Sequence, residues 1–315
     1  MKVYGADAIR AAIGLDELVE PVARAFADFS EGLGEAPITV FAPAGDQGDV
    51  HVKSAWMPGR SVFTVKVAAW FAARAAGGLS PSSGFVAVHD ATTGDLRALL
   101  VDEHHLTDVR TAAAGAVATR LLARPDAATV AVLGTGAQAR LQVLAARAVR
   151  PIEHVVVWGR RPDAARALRE ALLAAGPPLT VSVADHPSDA VRRADVIVTA
   201  TGSRRPILEG AWLRPGQHVT AVGADDDTKA ELDPACFHRA DVLAVDSRES
   251  TPLHAGDLRA SGRAPDVELG DLLLGRHPGR TSTSQITVAK LVGLGIQDLA
   301  AAETALRLLE RETTP

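Results

Sequence analysis

From residue 129 to residue 246 the chain repeats one texture: short apolar, β-branched runs alternate with stretches of helical composition. The apolar runs fall at residues 130–133, 154–158, 179–183, 194–201, 218–222 and 242–246, and helices are predicted from residue 140 and over 162–175 and 188–193. Strands that are apolar on both faces belong in a parallel sheet covered by helices. The alternation therefore predicts a doubly wound α/β sheet, with ligands collecting at the carboxyl ends of its strands. The preceding chain reads differently. A short strand over residues 2–4 is followed by a helix over 15–29, with Leu18, Val19, Val22, Phe26 and Phe29 at helical spacings. Short β-rich runs then occupy 38–41, 50–52, 63–67, 85–88 and 96–100, broken by Gly and Pro, with a hairpin loop over 90–95. An antiparallel or mixed sheet is expected there. Residues 106–118 predict a helix of small side chains capped by Thr107, and residues 289–310 a helical tail.

One junction in this pattern carries chemistry. The run at 130–133 ends in Gly134-Thr135-Gly136-Ala137-Gln138-Ala139 and passes directly into helical composition. Strand, tight turn and helix thus follow in the order a dinucleotide site needs. Gly134 makes the turn, Gly136 lets the backbone approach a pyrophosphate, and Ala139 lets the helix pack closely with its N-terminus facing the anion. Ala137 and Gln138 in the turn, and Thr201 after a later strand, complete the candidate cofactor contacts. At the end of the second strand an acidic residue ordinarily meets the ribose 2′-hydroxyl. This chain has Trp158-Gly159-Arg160-Arg161-Pro162 instead, and two guanidinium groups suit a 2′-phosphate. NADP is the expected cofactor, with NAD as the alternative.

Composition narrows the classes further. A length of 315 residues predicts two domains or one elaborated domain. The net charge of −5 provides no basic surplus for nucleic acid. Cys236 is the sole cysteine, which excludes an internal disulfide and a multi-cysteine zinc site. No apolar run approaches a membrane span, and the first twenty residues lack the apolar core of a signal peptide. The expectation is a cytoplasmic protein with no membrane or nucleic-acid partner.

Several segments together resemble the ornithine cyclodeaminase/μ-crystallin family. They are the turn at 134–140, the helix at 106–114, residues 222–225 with 229–233, and residues 295–299. The resemblance runs in order from about residue 26 to residue 306. Within the family the chain is most similar to the branch associated with ectoine utilisation, through residues 51–53, 65–67, 81–84 and 106–117. The resemblance implies a Rossmann domain over residues 113–285. It also implies an N-terminal α+β substrate and dimerisation domain, residues 1–112, to which residues 286–315 return with the C-terminal helix. A homodimer and hydride transfer at the α-carbon of an amino or imino acid are further implications.

The residues such chemistry needs can be placed. Arg110, on the helix near the domain boundary, offers a planar fork for a substrate carboxylate and matches the family's carboxylate-binding arginine. Lys66 lies in the apolar run at 63–67, where desolvation lowers its pKa, and matches the family's active-site lysine. Asp225 follows the strand at 218–222 and matches the aspartate that handles the proton at the substrate nitrogen. Lys53 aligns near the substrate pocket. The Asp225-Asp226-Asp227 run invites a metal reading, but Lys229 adjoins it and no His lies nearby, so no metal is expected. The pair His104-His105 reads as a solvent or helix-start feature.

Two departures from the family pattern bear on the substrate. Family members that bind ornithine carry an arginine after a proline where this chain has Pro37-Ile38. They also place a glutamate against the distal amine in the region where this chain offers His51 and Lys53. A cation is a poor partner for an ammonium group. Strict ornithine cyclodeamination is disfavoured, and a second carboxylate on the substrate becomes the better fit. The leading expectation is an NAD(P)-dependent imine reductase or amino-acid dehydrogenase. The alternatives are a cyclodeaminase that uses bound NAD⁺ catalytically, and a non-catalytic μ-crystallin-like binding protein.

Overall fold

The computed structural model describes residues 1–175 and 179–312. The chain forms two compact units: Met1–Ala113 with the segment from Leu294 onward, and Ala114–Gly293.

The first unit is built on a sheet that has six strands among the described residues, in the order β1-β6-β5-β4-β3-β2. These are β1 (Lys2–Gly5), β2 (Ile38–Phe41), β3 (Gly48–Ala55), β4 (Val62–Phe71), β5 (Ser82–Asp90) and β6 (Leu96–Val101). Neighbours are antiparallel except β1, which joins β6 in parallel. Side chains alternate along β4, so Val62, Thr64, Lys66 and Ala68 are buried while the residues between them are only partly covered. The long helix Gly295–Glu312 lies against β3, β4 and the helix Val19–Ser30 and covers this inner face. At the predicted hairpin loop, Asp90 Oδ1 accepts hydrogen bonds from the Thr92 and Thr93 amides, and Gly94 takes a positive φ.

The helix expected over 106–118 extends over His105–Leu122, and its cap differs from the expectation. Asp102, not Thr107, closes the first turn: its Oδ2 accepts from the Leu106 amide at 2.7 Å. Glu103 and His104, with φ of 49° and 77°, bend the chain so that Asp102 falls one turn ahead of the helix. Thr107 sits inside it.

The second unit contains ten strands among the described residues: β7 (Thr129–Leu133), β8 (His154–Trp158), β9 (Thr180–Val183), β10 (Val196–Thr199), β11 (Arg204–Leu208), β12 (His218–Ala221), β13 (Ala230–Leu232), β14 (Val242–Val245), β15 (Val267–Glu268) and β16 (Thr287–Lys290). Eight form a wholly parallel sheet in the order β15-β14-β16-β12-β10-β7-β8-β9, while β11 and β13 pair separately. This is the doubly wound α/β architecture. Every residue of β10, β12, β14 and β16 is buried, as expected for strands covered on both faces.

The tail departs from its sequence reading. Residues 289–290 belong to β16, which fits between β12 and β14, and the helix begins only at Gly295. Full burial of Thr287–Lys290 in the sheet wins over the helical spacing of the leucines that follow. The segment that rejoins the first unit therefore starts at Leu294 rather than at residue 286. No helix among the described residues is long and apolar enough to cross a membrane.

Candidate active site

The glycine turn leaves the carboxyl end of β7 as its spacing predicts. Gly134 has φ 137° and donates its amide to the Trp158 carbonyl at 2.9 Å. A Cβ there would lie 2.4 Å from the Ala200 carbonyl oxygen, so only glycine fits. At Gly136 the equivalent position meets nothing within 4 Å, which leaves room for a ligand beside the backbone. The helix Ala137–Val149 starts there with no side-chain cap, and its first turn can receive an anion. A second close approach occurs at Gly159, where a Cβ would strike Thr135. These cradles fit the pyrophosphate of a dinucleotide. Beyond β8, Arg160 and Arg161 are exposed, and no acid stands among residues 158–161.

Thr201 and Asp225 lie beyond the ends of β10, which adjoins β7 on the other side, and of β12, the next strand along. The Thr201 amide and hydroxyl both donate to Glu231 Oε1, at 2.6 and 2.8 Å. Asp225 pairs with Lys229, whose Nζ is 2.8 Å from Asp225 Oδ1 and 3.0 Å from Asp226 Oδ2. Burial opposes the charge on Lys229, but the two carboxylates outweigh it and hold the ammonium well above its usual range. Burial likewise pushes the Asp226 carboxyl up, and Lys229 and Thr228 more than reverse this. Lys229 is thus a counter-charge that Asp225 and Asp226 share.

In the first unit the sheet register creates a second site. Lys53 on β3 is the direct partner of Lys66 on β4, so both ammonium groups project from one face. Lys66 Nζ meets Asp298 Oδ1 at 2.8 Å, and Arg110 Nε meets the same oxygen at 2.9 Å. Arg110 Nη1 also donates to Gln297 Oε1 at 2.7 Å. Lys53, Lys66, Arg110 and Asp298 are 3, 2, 4 and 2% exposed. Lys66 and Arg110 thus share one carboxylate oxygen in a buried setting beside Lys53, where charge is costly unless matched. Asp298 Oδ2 and Gln297 Nε2 are buried without a hydrogen-bond partner. The cluster thus keeps one acceptor and one donor open to a group that enters it.

Electrostatics act on Lys66 most strongly. Desolvation and the neighbouring Arg110, with Lys53 adding to them and Asp298 opposing, lower its pKa to about 7. Burial pushes Asp298 up, but Arg110, Lys66 and Lys53 together hold it below the usual carboxylate range. Burial raises the Asp102 carboxyl, with the hydrogen bond from the Leu106 amide opposing the shift. Lys66 is accordingly protonated below about pH 7 and neutral above it. If an ammonium at Lys66 holds the substrate carboxylate, kcat/KM falls as pH rises through this value, by up to about tenfold per pH unit. A pH profile measures this, and Lys66→Arg, which stays charged, should flatten the limb.

The structure thus brings Lys53, Lys66 and Arg110 together in one unit. In the other it gathers Gly134, Gly136, Ala137, Gln138, Arg160, Arg161, Thr201 and Asp225 at the carboxyl ends of β7, β8, β10 and β12. Of the histidine pair, His105 Nε2 contacts the Ile13 carbonyl, and His104 Nδ1 contacts Asp108. Asp298 and Glu231 are missing from the residue-by-residue sequence reading. Both lie in segments that carry the family resemblance, 295–299 and 229–233, and that is the one sequence signal pointing to them.

Comparison with known proteins agrees with this fold. The profile of the ornithine cyclodeaminase/mu-crystallin family matches residues 2–308. The chain belongs to this family. It is 41% identical to an uncharacterized cyclodeaminase of Sinorhizobium fredii, covering 85% of this chain and 82% of that one. It is 39% identical to a Delta(1)-pyrroline-2-carboxylate reductase of Paracoccus denitrificans, covering 83% and 84%. Among solved structures, the Delta(1)-pyrroline-2-carboxylate reductase of Thermococcus litoralis in complex with NADH and L-proline superposes with a TM-score of 0.93. It shares 28% identity and covers 99% of this chain and 98% of its own.

Proposed function

We propose that this family member is an NAD(P)-dependent reductase of a small 2-imino acid, working in the opposite direction as an amino-acid dehydrogenase. The observation that carries this reading is the buried cluster in which Lys66 and Arg110 share one oxygen of Asp298 and Lys53 stands directly opposite Lys66. Arg110 and Lys66 hold the substrate α-carboxylate. Asp225 handles the proton at the substrate nitrogen, and Lys229 keeps its carboxylate oriented. When bound, the nicotinamide dinucleotide supplies the hydride. Gly134, Gly136, Ala137, Gln138 and Thr201 hold its phosphates and ring by backbone approach and helix N-terminus.

The exposed guanidinium groups of Arg160 and Arg161 favour NADP in this reading. Arg160→Asp is expected to lower the ratio of kcat/KM for NADP over NAD by about tenfold or more, a charge reversal beside a phosphate. An unchanged ratio removes the assignment.

Lys53 refines the substrate. Directly opposite Lys66, it repels a distal ammonium and attracts a distal carboxylate, so a dicarboxylic 2-imino acid is the preferred class. The same repulsion weighs against cyclodeamination, which needs a distal amine. Lys53→Met is expected to reduce kcat/KM by about tenfold or more on an imine with a second carboxylate, and far less on one with an apolar side chain. Equal losses on both contradict it. The outer face of the first sheet leaves apolar side chains uncovered, with Val3 59% and Phe41 49% exposed, and a homodimer formed through it completes the proposal.

A further inference from the structure

Glu231 is wholly buried and lies on a strand of three residues outside the main sheet. Its carboxylate accepts four hydrogen bonds. Oε1 takes the Thr201 amide and hydroxyl at 2.6 and 2.8 Å, and Oε2 takes the Thr199 hydroxyl and the Gly223 amide, both at 2.8 Å. Burial pushes this carboxyl up, while Lys290 and the hydrogen bonds from Thr201 and Thr199 oppose the shift. All the donors stand at the carboxyl ends of the neighbouring parallel strands β10 and β12. Past the ends of these strands the amides of Thr201 and Gly223 have no ladder partner, and Glu231 supplies one for both.

The backbone around this carboxylate leaves no slack. A Cβ on Gly223 would lie 2.3 Å from the Thr201 carbonyl oxygen and 2.4 Å from its nitrogen. A Cβ on Gly134 would lie 2.4 Å from the oxygen of Ala200. The glycine turn therefore rests on the Ala200–Thr201 peptide, that peptide rests on Gly223, and Glu231 fixes the contact. Asp225 follows two residues after Gly223. Glu231 is itself held from behind. Asp257 Oδ2 accepts the Glu231 and Leu232 amides at 3.2 and 3.3 Å, and Lys290 Nζ lies 3.2 Å from Asp257 Oδ1. All three side chains are buried, so the network is rigid only while every member is satisfied.

We infer that Glu231 is a positioning residue: its carboxylate locks the Thr201 and Gly223 segments together, setting both the floor beneath the dinucleotide turn and the location of Asp225. The inference rests on the dinucleotide reading of this unit. Glu231→Gln keeps the shape but turns an NH₂ group toward donors, which pushes the two segments apart. Calorimetric titration with NADPH or NADH is expected to show affinity weakened about tenfold or more, and kcat for imine reduction falls with it. A purely structural carboxylate would lower the thermal midpoint and leave both values unchanged.

A second pair of variants decides the matter if Glu231→Gln does not fold. Thr199→Val removes one hydroxyl bond to the same carboxylate and Thr199→Ser keeps it, at a residue outside the set that holds the dinucleotide. Thr199→Val is expected to weaken dinucleotide affinity by about threefold or more, because Oε2 also holds the Gly223 amide, and Thr199→Ser to keep it near the wild-type value. Equal affinities in the two variants, or wild-type affinity in Glu231→Gln, overturn the positioning role while leaving the dinucleotide reading intact. Failure of the wild-type protein to bind either nucleotide overturns that reading and this role together.

Discussion

Asp225→Asn is expected to lower kcat for imine reduction by about a thousandfold while leaving dinucleotide affinity within about threefold. The size is that of a lost general acid–base group at a reacting atom. Asparagine preserves the volume and one acceptor oxygen but cannot carry the proton. Lys229 retains Asp226 as a partner 3.0 Å away, so the segment keeps its main tether and binding should survive. Paired measurements of kcat and of dinucleotide Kd test this. Near-normal turnover would remove Asp225 from the mechanism, whereas a parallel loss of affinity would reassign it to cofactor binding.

Arg110→Met is expected to reduce kcat/KM by about a hundredfold to a thousandfold, mostly through KM for the imino acid. Removing one partner of a buried, hydrogen-bonded charge pair has a cost of this order. Two consequences separate this from general destabilisation. Arg110 is one of the groups that depress Lys66, so its loss should move the pH limb of kcat/KM upward from about 7. Asp298 keeps its contact with Lys66 at 2.8 Å, so the cluster remains paired and the protein should fold. A weaker affinity for substrate with an unmoved pH limb would place Arg110 outside the electrostatic cluster.

Much of this site was legible in the sequence because its signals are local. The junction of β7, Gly134, Gly136 and a helix is read from adjacent residues, and the structure supplies the close contacts that explain each glycine. Lys66 stood out as a cation within an apolar strand, and Lys53 gains its meaning only from a register that sets it opposite Lys66. Asp298 was hidden for a different reason. It lies 232 residues from Lys66 and 188 from Arg110, on a helix whose leucines read as ordinary packing. Glu231 sits in a strand too short to show any period, so neither its burial nor its partners could be foreseen. The misplaced boundaries have physical causes too. Two successive left-handed residues shift the helix cap to Asp102, and a buried slot in the sheet draws Thr287–Lys290 into a strand.

The central claim is tested most directly by following absorbance at 340 nm. Purified protein is mixed with NADPH or NADH and with 2-oxo acids in the presence of ammonia or methylamine, and separately with cyclic imino acids. Imine-dependent oxidation of the nucleotide, fastest with NADPH and a dicarboxylic 2-oxo acid, is the predicted result. A flat trace with every imine, accompanied by ammonia release from ornithine in the presence of NAD⁺, would contradict the reductase and establish a cyclodeaminase.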